Sequence, residues 1–533
     1  MVASTTSHTH TLTLTHAHTH ACTHTRTHTV THAYTHTLSL SLLIPAKFRA
    51  AQEGDSVVVI GSGIAGITAA YELQRAGLQV TVVERRSAAA LETSAANAGT
   101  LNFTANTLFA SPGTVKAAFT AFWRDVTGKK ASPSGTKPAT STQQANGSNG
   151  NAAAADDDDD QGREEAQPIR MIEELVEEFR FMFFERKLLF DVHFWKWAVN
   201  FLALAMTHAG ERRAFLDSLV DHALGALQET RHSLHVHFNY RDSGSLYVYT
   251  DADTYHERAR EGLLAGRGHE AMTAAKAKTL EPSLRAHNFV GTIFHRFDAL
   301  GDCQLFCQEV ADRLEARGAR FLYERAATDV VVGDDGRAVA VQVYDTNSGV
   351  TERVPCDHVV VCCASESATP LATTGMAWLP ILPVRGYTIT GRANPDPTKC
   401  PANYILFDKP FLVCATRLGD RIRFASYAEI TRALEPKEER VTDLTQLVQR
   451  LFPEAFHPEH PDVRTWMGRR PTSSDALPIV SQTHVPNVFL HTGHGSDGWR
   501  FSHATARALS ALMLGRESPL DPSFLSLDRF WLL

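Results

Sequence analysis

A glycine-rich turn near residue 60 has the composition of a phosphate-binding site. Gly61, Gly63 and Gly66 follow the G-x-G-x-x-G spacing, with Ile64 and Ala65 between the last two. The first glycine permits a tight turn, the second lets the backbone approach a pyrophosphate, and the third lets a helix pack closely on a strand. The N-terminus of that helix offers unpaired N–H groups and a positive dipole to phosphates. We therefore assign all five residues to a dinucleotide cofactor.

The elements around this turn have the order that dinucleotide binding requires. Residues 56–60 are a β-branched run typical of a buried parallel strand, residues 67–75 read as a helix, and residues 78–83 read as a second strand. Glu84 closes the second strand, where a carboxylate accepts hydrogen bonds from ribose hydroxyls, and Arg85 beside it is assigned to the same site. The acid argues against a 2′-phosphate, and so against NADP, but it does not separate FAD from NAD.

Further blocks of sequence carry a resemblance to a known family. In chain order they are residues 91–99 (Leu-Glu-Thr-Ser-Ala-Ala-Asn-Ala-Gly), residues 301–306 (Gly-Asp-Cys-Gln-Leu-Phe), Arg385–Tyr387, Arg421–Arg423 with Ala428–Glu429, Arg470–Pro471, and Thr492–Gly495 with Gly498–Trp499. Together with the glycine-rich turn, they resemble the D-amino-acid dehydrogenase small subunit, within the wider D-amino-acid oxidase family. The blocks keep that family's order from residue 56 to the C-terminus, which is more specific than any single motif.

The resemblance implies both a fold and a cofactor. It implies an α/β protein with a doubly wound, Rossmann-like FAD-binding domain and a second, α+β substrate domain built on an antiparallel sheet. FAD is expected to be bound without a covalent link, and no metal is expected. The positions assigned to the cofactor side are Ser94, Asn97, Gly99, Ala327, Gly493, His494, Gly495, Gly498 and Trp499. For His494, a backbone contact to the flavin with an exposed imidazole and a proton-handling imidazole both stay open.

Oxidation of an amino acid on this fold needs a carboxylate clamp more than an acid or a base. The flavin supplies the electron sink, so the protein must hold the α-hydrogen near it and fix the carboxylate. The resemblance gives that task to Arg470, because a guanidinium matches a carboxylate with two parallel hydrogen bonds. Tyr387 is the second catalytic candidate, through a phenolic hydrogen bond to the same carboxylate, with a packed core tyrosine as the alternative.

Several residues near these positions depart from the family pattern. Ala364 stands where a glycine commonly approaches the cofactor, and Arg469 replaces an apolar residue beside the clamp. Asp497 is unexpected in its turn, and residues 500–503 (Arg-Phe-Ser-His) stand where smaller or less polar residues are usual. These changes either reshape substrate choice or mark a protein that keeps FAD and has lost fast turnover.

Composition divides the chain into folded and low-complexity parts. Residues 1–50 form a His/Thr-rich leader and residues 127–167 a polar insertion, and both are predicted to be disordered. Residues 55–126, 298–366 and 468–533 are assigned to the FAD-binding domain, and residues 168–297 and 367–467 to the substrate domain. If the leader is genuine, a mitochondrial location is expected, with the cytoplasm as the alternative.

Charge and hydropathy narrow the choice of partners. A formal net charge of −7 gives no sign of nucleic-acid binding, and no run of 18 or more apolar residues predicts a membrane-spanning helix. Residues 179–206 are rich in Phe and Trp but also charged, which predicts an amphipathic helix packed on the core or a surface for a membrane or partner protein. A peripheral membrane contact is therefore kept as an expectation.

The leading functional prediction is an enzyme that oxidises a D-amino acid to the imino acid, which hydrolyses to a 2-oxo acid and ammonia. The electrons would leave through a quinone or go to oxygen. Oxidation of glycine, sarcosine or proline shares the fold and the clamp, and stays as an alternative. A flavin-binding assembly protein without turnover is the third hypothesis, supported by the altered residues 500–503 and opposed by the retained arginine clamp.

Overall fold

A computed structural model of the chain describes residues 49–104, 115, 122, 125, 182–265, 268–402, 405–408 and 413–531. Residues 1–48 of the predicted leader and the whole predicted insertion lie outside the described residues. Within them the strands are β1 (Ser56–Ile60), β2 (Gln79–Val83), β3 (Thr100–Leu101), β4 (Met182–Phe184), β5 (Ser245–Tyr249), β6 (His269–Thr273), β7 (Gly291–His295), β8 (Ala299–Leu300), β9 (Arg320–Leu322), β10 (Arg325–Val332), β11 (Ala338–Asp345), β12 (Thr351–Pro355), β13 (His358–Val361), β14 (Ile381–Arg392), β15 (Ile405–Asp408), β16 (Val413–Leu418), β17 (Arg421–Ile430), β18 (Arg464–Ser473), β19 (Ile479–Gln482) and β20 (Val488–Thr492).

Helices alternate with these strands along the described part of the chain. They are α1 (Ile64–Arg75), α2 (Val192–Ala205), α3 (Ala209–Leu234), α4 (Ala252–Ala265), α5 (Ala274–Leu280), α6 (Cys303–Glu315), α7 (Glu438–Leu451) and α8 (Gly498–Met513). Helix α1 begins three residues earlier than the hydrophobic pattern predicts, because the extended Gly63 at its N-cap lets Ile64 take the first helical position.

The first sheet positions the predicted nucleotide turn. Its strand order is β19-β20-β13-β1-β2-β9, with β1 parallel to both β2 and β13. Val57 to Ile60 are buried, as expected for a strand that is covered on both faces. Because parallel strands end at one edge of a sheet, the turns that follow β1, β13 and β20 meet there, which is where doubly wound proteins bind their cofactors. The predicted fold class is confirmed.

The second sheet is larger and mostly antiparallel. Its order is β18-β14-β17-β16-β15-β5-β7-β6, and β4 also pairs with β17. Strand β14 lies between β17 and β18 and is antiparallel to both. Strand β18 stays in this sheet through Ser473. The structure therefore places Arg470 in the second sheet, whereas the sequence analysis assigned residues 468–533 to the FAD-binding domain.

Helix α8 packs against the nucleotide sheet and explains part of the unusual sequence at residues 500–503. Phe501 and Ala504 lie in one hydrophobic cluster with Ile67 of α1 and Leu219 of α3. His503 is buried, and its ring packs edge-on against Phe306 at 5.2 Å between centroids. The larger side chains of this stretch are therefore core residues, and they fill space beneath the turn that precedes α8.

Of the segment 179–206, the described part, residues 182–206, forms less helix than the sequence predicts. Helix α2 begins only at Val192, after Asp191, whose carboxylate caps the backbone N–H groups of the first turn. Its inner face packs Phe194, Trp197 and Phe201 into a core cluster, which confirms the packed face. Its outer face exposes a row of apolar side chains that includes Trp195, Val199, Leu202 and Met206. The peripheral membrane contact stays a prediction, and this row is where it would occur.

Among the described residues, no helix combines the length and the apolar composition that a membrane span requires. Every cysteine in the described part is a free thiol, and all of them except Cys363 are buried. Burial raises the pKa of Cys356 and Cys414 to about 12, so both stay protonated at neutral pH.

Candidate functional site

The glycine-rich turn has the geometry of a phosphate cradle. Gly61 has φ +99°, and a Cβ added there would lie 2.9 Å from the carbonyl oxygen of Cys362. A Cβ on Gly66 would lie 1.8 Å from the carbonyl oxygen of Gly61. A Cβ on Gly63 would meet only the Ser94 Oγ, at 3.4 Å, because that glycine faces an open cavity. Two glycines therefore shape the turn, and the third keeps its surface clear for a ligand.

The Glu84 carboxylate stabilises the conformation of this turn through hydrogen bonds. One carboxylate oxygen accepts hydrogen bonds from the backbone N–H and hydroxyl of Ser62, at 2.9 and 2.7 Å, and the other accepts from the N–H of Arg86 at 2.9 Å. Arg85 does not turn toward the cavity, because its guanidinium pairs with Glu92 and Glu366. The structure thus corrects the cofactor assignment of the Arg85 side chain, which braces the nucleotide-binding region.

Ala327 is also not brought to the cavity. It lies on β10, where its side chain packs against the hydrophobic cluster beneath the first sheet. Gly493 follows β20 with φ +72°, and it turns the chain into the cavity without lining it. The residues predicted for the cofactor side that do line the cavity are Gly63, Ile64, Ala65, Ser94, Asn97, Gly99, His494, Gly495, Gly498 and Trp499.

The loop at residues 91–99 forms one wall of the cavity and is tied to both sheets. Ser94 accepts a hydrogen bond from the backbone N–H of Ile64 at 3.1 Å. Asn97 accepts from the N–H of Gly99 at 2.9 Å, and the carbonyl oxygen of Asn97 accepts from Arg423 of β17 at 2.8 Å. Arg423, from the 421–423 block, therefore positions the loop at residues 91–99.

Arg470 lines the cavity from β18, which runs beside β14. The guanidinium lies across Gly386, since a Cβ on that glycine would stand 2.3 Å from Nη2. One of its N–H groups donates to the carbonyl oxygen of Tyr427 at 3.0 Å. Burial lowers the pKa of Arg470, and the carboxylate of Asp497 opposes that shift, so the group remains a cation at neutral pH. Its other N–H groups are available to a carboxylate in the cavity.

Tyr387 lies on the other face of β14. Its neighbours Gly386 and Thr388 line the cavity, so the alternation of side chains along a strand sends Tyr387 into the core behind the sheet. There its hydroxyl donates to Glu429 at 3.1 Å and accepts from the backbone N–H of Lys437 at 3.2 Å. This position corrects the catalytic assignment of Tyr387 and fits the alternative of a packed core tyrosine.

The partners of Tyr387 explain why several family blocks occur together. Arg385 donates two hydrogen bonds to Glu429, at 3.0 and 2.6 Å, and both side chains are fully buried. Burial opposes ionisation of Glu429, but the hydrogen bond from Lys437 and the charge of Arg385 lower its pKa overall. Such a paired buried carboxylate is costly to disrupt. The blocks at 385–387 and 428–429 thus hold the sheet that carries the clamp.

Replacing Tyr387 with phenylalanine tests this structural role. We expect the Tyr387→Phe variant to lose about 1–3 kcal/mol of unfolding free energy, because Glu429 loses a donor and the N–H of Lys437 loses its acceptor. We expect kcat/KM to stay within about twofold of the parent, since the ring does not reach the cavity. Urea unfolding and steady-state kinetics measure the two quantities. A loss of turnover beyond about tenfold in a stable variant would restore the catalytic role.

The departures from the family pattern form pairs. Arg500 makes an ion pair with Asp497 at 2.9 Å and donates to the carbonyl oxygen of Asn102. Arg469 pairs with Glu366, and neither residue lines the cavity. Each unexpected charge therefore has an opposite charge beside it. This pattern indicates an adapted site, and it weakens the argument that turnover has been lost.

The cavity fits a flavin dinucleotide. Buried polar atoms of its lining that have no hydrogen-bond partner among the described residues include Asn102 Oδ1, Thr388 Oγ1 and Trp499 Nε1. Buried polar groups are normally paired, so these atoms point to a ligand that offers donors and acceptors. The open face of Gly63 and the N-terminus of α1 provide a binding site for the phosphates of such a ligand.

Thr388 and Asn102 are among the lining residues that the sequence reasoning missed. Thr388 lies two positions after Gly386 on β14, so the period of the strand would have found it once Gly386 was placed. Asn102 had no such signal, because it lies after a two-residue strand, β3, that only the pairing with β8 defines.

Comparisons with known proteins agree with this site. The sequence model of the DAO family, described as FAD dependent oxidoreductase, matches residues 56–512. A D-amino acid dehydrogenase of Vibrio vulnificus is 27% identical over 481 residues, covering 89% of this chain and 99% of that protein. A D-amino acid dehydrogenase of Rhizobium rhizogenes is 28% identical over 480 residues, with the same two coverages, 89% and 99%. Neither name carries the small-subunit designation of the sequence resemblance.

Solved structures share the fold. L-proline dehydrogenase from P. horikoshii superposes with a TM-score of 0.57 at 15% identity, covering 90% of this chain and 98% of that one. Glycine oxidase from Bacillus cereus superposes with a TM-score of 0.55 at 18% identity, covering 89% and 98%. At these identities the likeness concerns the fold alone.

Proposed function

We propose a reaction for this chain from one premise: it belongs to the DAO family of FAD dependent oxidoreductases, whose model spans residues 56–512. The proposed reaction is oxidation of the Cα–N bond of a D-amino acid. The observation that carries it is the half-buried Arg470 guanidinium, which lines the FAD cavity and uses one N–H group in a hydrogen bond to the carbonyl oxygen of Tyr427. The two relatives named D-amino acid dehydrogenase support the choice of substrate class.

The residues in the cavity divide the work between cofactor and substrate. Gly63 and the start of α1 would take the pyrophosphate, and Ser94, Asn97 and Gly99 would lie along the flavin. The N-terminus of α8, which begins at Gly498, would stabilise negative charge at the pyrimidine edge. FAD, when bound, supplies the two-electron acceptor for the reaction.

The substrate is held by its carboxylate. Arg470 offers parallel N–H groups to the two carboxylate oxygens, which fixes the α-carbon relative to the cavity wall opposite. Loss of a hydride from Cα and a proton from nitrogen gives the imino acid. Water then adds to the C=N bond and ammonia leaves, so the product is a 2-oxo acid. The two electrons pass on to a quinone or to oxygen.

An anaerobic spectral titration of the purified flavoprotein tests this proposal. We expect D-amino acids to bleach the visible flavin absorbance, with no bleaching by the matched L-amino acids. Bleaching only by glycine, sarcosine or proline would replace the substrate class with the alternative that uses the same clamp. A bound flavin that no member of the panel reduces would contradict the proposal and favour a flavin-binding assembly role.

A further inference from the structure

Two histidines and a threonine connect the nucleotide turn to the flavin cavity. The Nδ1 of His491 lies 3.0 Å from the carbonyl oxygen of Ala65, at the start of α1. The Nε2 of His491 lies 2.8 Å from Thr505 Oγ1, and the Nε2 of His494 lies 3.0 Å from the same oxygen. All three side chains are buried, and His494 lines the cavity. A single hydroxyl therefore joins the two rings.

The donors and acceptors of this chain have one consistent arrangement. A carbonyl oxygen only accepts, so His491 carries its proton on Nδ1 and donates it to Ala65. A neutral His491 then has a bare Nε2, which takes the Thr505 hydroxyl proton. The oxygen of Thr505 in turn accepts from the ring of His494, which must carry its proton on Nε2.

The competing arrangement fails on charge. The Thr505 hydroxyl also lies 3.0 Å from the carbonyl oxygen of Phe501, within its own helix. If it donated there, both nitrogens of His491 would have to donate, and the ring would be a cation. Burial lowers the pKa of His491 to about 4 and that of His494 well below 6.5, so both rings are neutral at physiological pH.

We infer that Thr505 is a positioning residue that fixes His494 as a hydrogen-bond acceptor for an N–H group of the cavity's occupant. With its proton on Nε2, His494 has a lone pair on Nδ1, and His494 is one of the residues that line the cavity. The inference rests on the cavity being the FAD site of the proposed function. The N–H donors that this site would receive are flavin N3–H and the substrate amine. The neutral ring accepts a hydrogen bond and does not act as a general base.

The protonation state can be measured on the flavoprotein labelled with ¹⁵N-histidine. We expect the His494 signals, assigned by their loss in His494→Phe, to show a neutral ring protonated only at Nε2. In Thr505→Val the Nε2 proton loses its acceptor, so we expect a mixture of the two neutral forms, whereas Thr505→Ser should keep the parent signals. A wild-type ring protonated at Nδ1, or a Thr505→Val spectrum identical to the parent, would overturn the inference. The wild-type spectrum decides even if Thr505→Val does not fold.

Reconstitution of the apoprotein separates the two N–H donors. If the donor is flavin N3–H, we expect 3-methyl-FAD to bind about tenfold more weakly than FAD to the wild type, and equally to His494→Phe. If it is the substrate amine, the two flavins should bind alike, and His494→Phe should raise KM about tenfold with little change in kcat. No effect in either arm would overturn the inference. The tautomer and flavin-affinity readouts need no turnover, so a failed substrate proposal would not be mistaken for a failed inference.

Discussion

Replacing Arg470 with alanine is expected to lower kcat/KM for the amino-acid substrate by about 10²–10³-fold while FAD stays bound. The guanidinium is half-buried beside Gly386 and donates one hydrogen bond to the carbonyl oxygen of Tyr427. Removing it leaves the substrate carboxylate in a low-dielectric wall without its counter-charge, and the α-carbon loses its fixed position. Stopped-flow flavin reduction measures the effect on the chemical step, and the visible spectrum reports whether flavin is retained.

The neighbouring arginine supplies a matched control. Arg469 carries the same charge one residue earlier, but its guanidinium pairs with Glu366 and does not line the cavity. We expect Arg469→Ala to keep kcat/KM within about threefold of the parent, because a partly exposed ion pair contributes little. Arg470→Lys should fall between the two, since it keeps the charge and loses the planar fork. Equal losses in Arg469→Ala and Arg470→Ala would contradict the clamp.

The nucleotide end of the site was predictable because its information is local. Gly61, Gly63 and Gly66 lie within six residues, and the strand, turn and helix that they serve are consecutive in the chain. The same local reasoning assigned the Arg85 side chain to the cofactor, which the structure does not support. Arg85 follows Glu84 directly in the chain, yet its charge pairs with Glu366, about 280 residues away.

The substrate side was less predictable, because it depends on strand pairing. Arg470 stands opposite Val384 in the register of β14 and β18, a pairing that no local pattern specifies. The face of the sheet that Tyr387 occupies follows from the alternation of side chains along β14. Which residues point to which face becomes known only once one residue of the strand has been placed. The ion pair between Asp497 and Arg500 is an exception, because the two residues are three positions apart at the start of a helix. Their pairing could have been read from the spacing alone.

Replacing Gly63 with alanine is expected to raise the dissociation constant of FAD by about 10- to 100-fold with little change in the fold. Gly63 has φ −68°, which alanine adopts without strain, and its Cβ would meet only the Ser94 Oγ at 3.4 Å. The apoprotein therefore has room for the methyl group. The pyrophosphate does not, because it must approach the backbone where that methyl group would stand. Flavin titration and thermal melting of the apoprotein measure the two effects.

Alanine variants at two other glycines serve as controls for this result. Gly66→Ala places a Cβ 1.8 Å from the carbonyl oxygen of Gly61, so we expect that variant to lower the melting temperature of the apoprotein as well as FAD binding. Gly210→Ala, in α3, adds a methyl group with nothing within 4 Å, and should change neither. If Gly63→Ala bound FAD as tightly as Gly210→Ala does, the pyrophosphate would not pass over this turn. If it melted like Gly66→Ala, the open face would belong to the fold and not to the ligand.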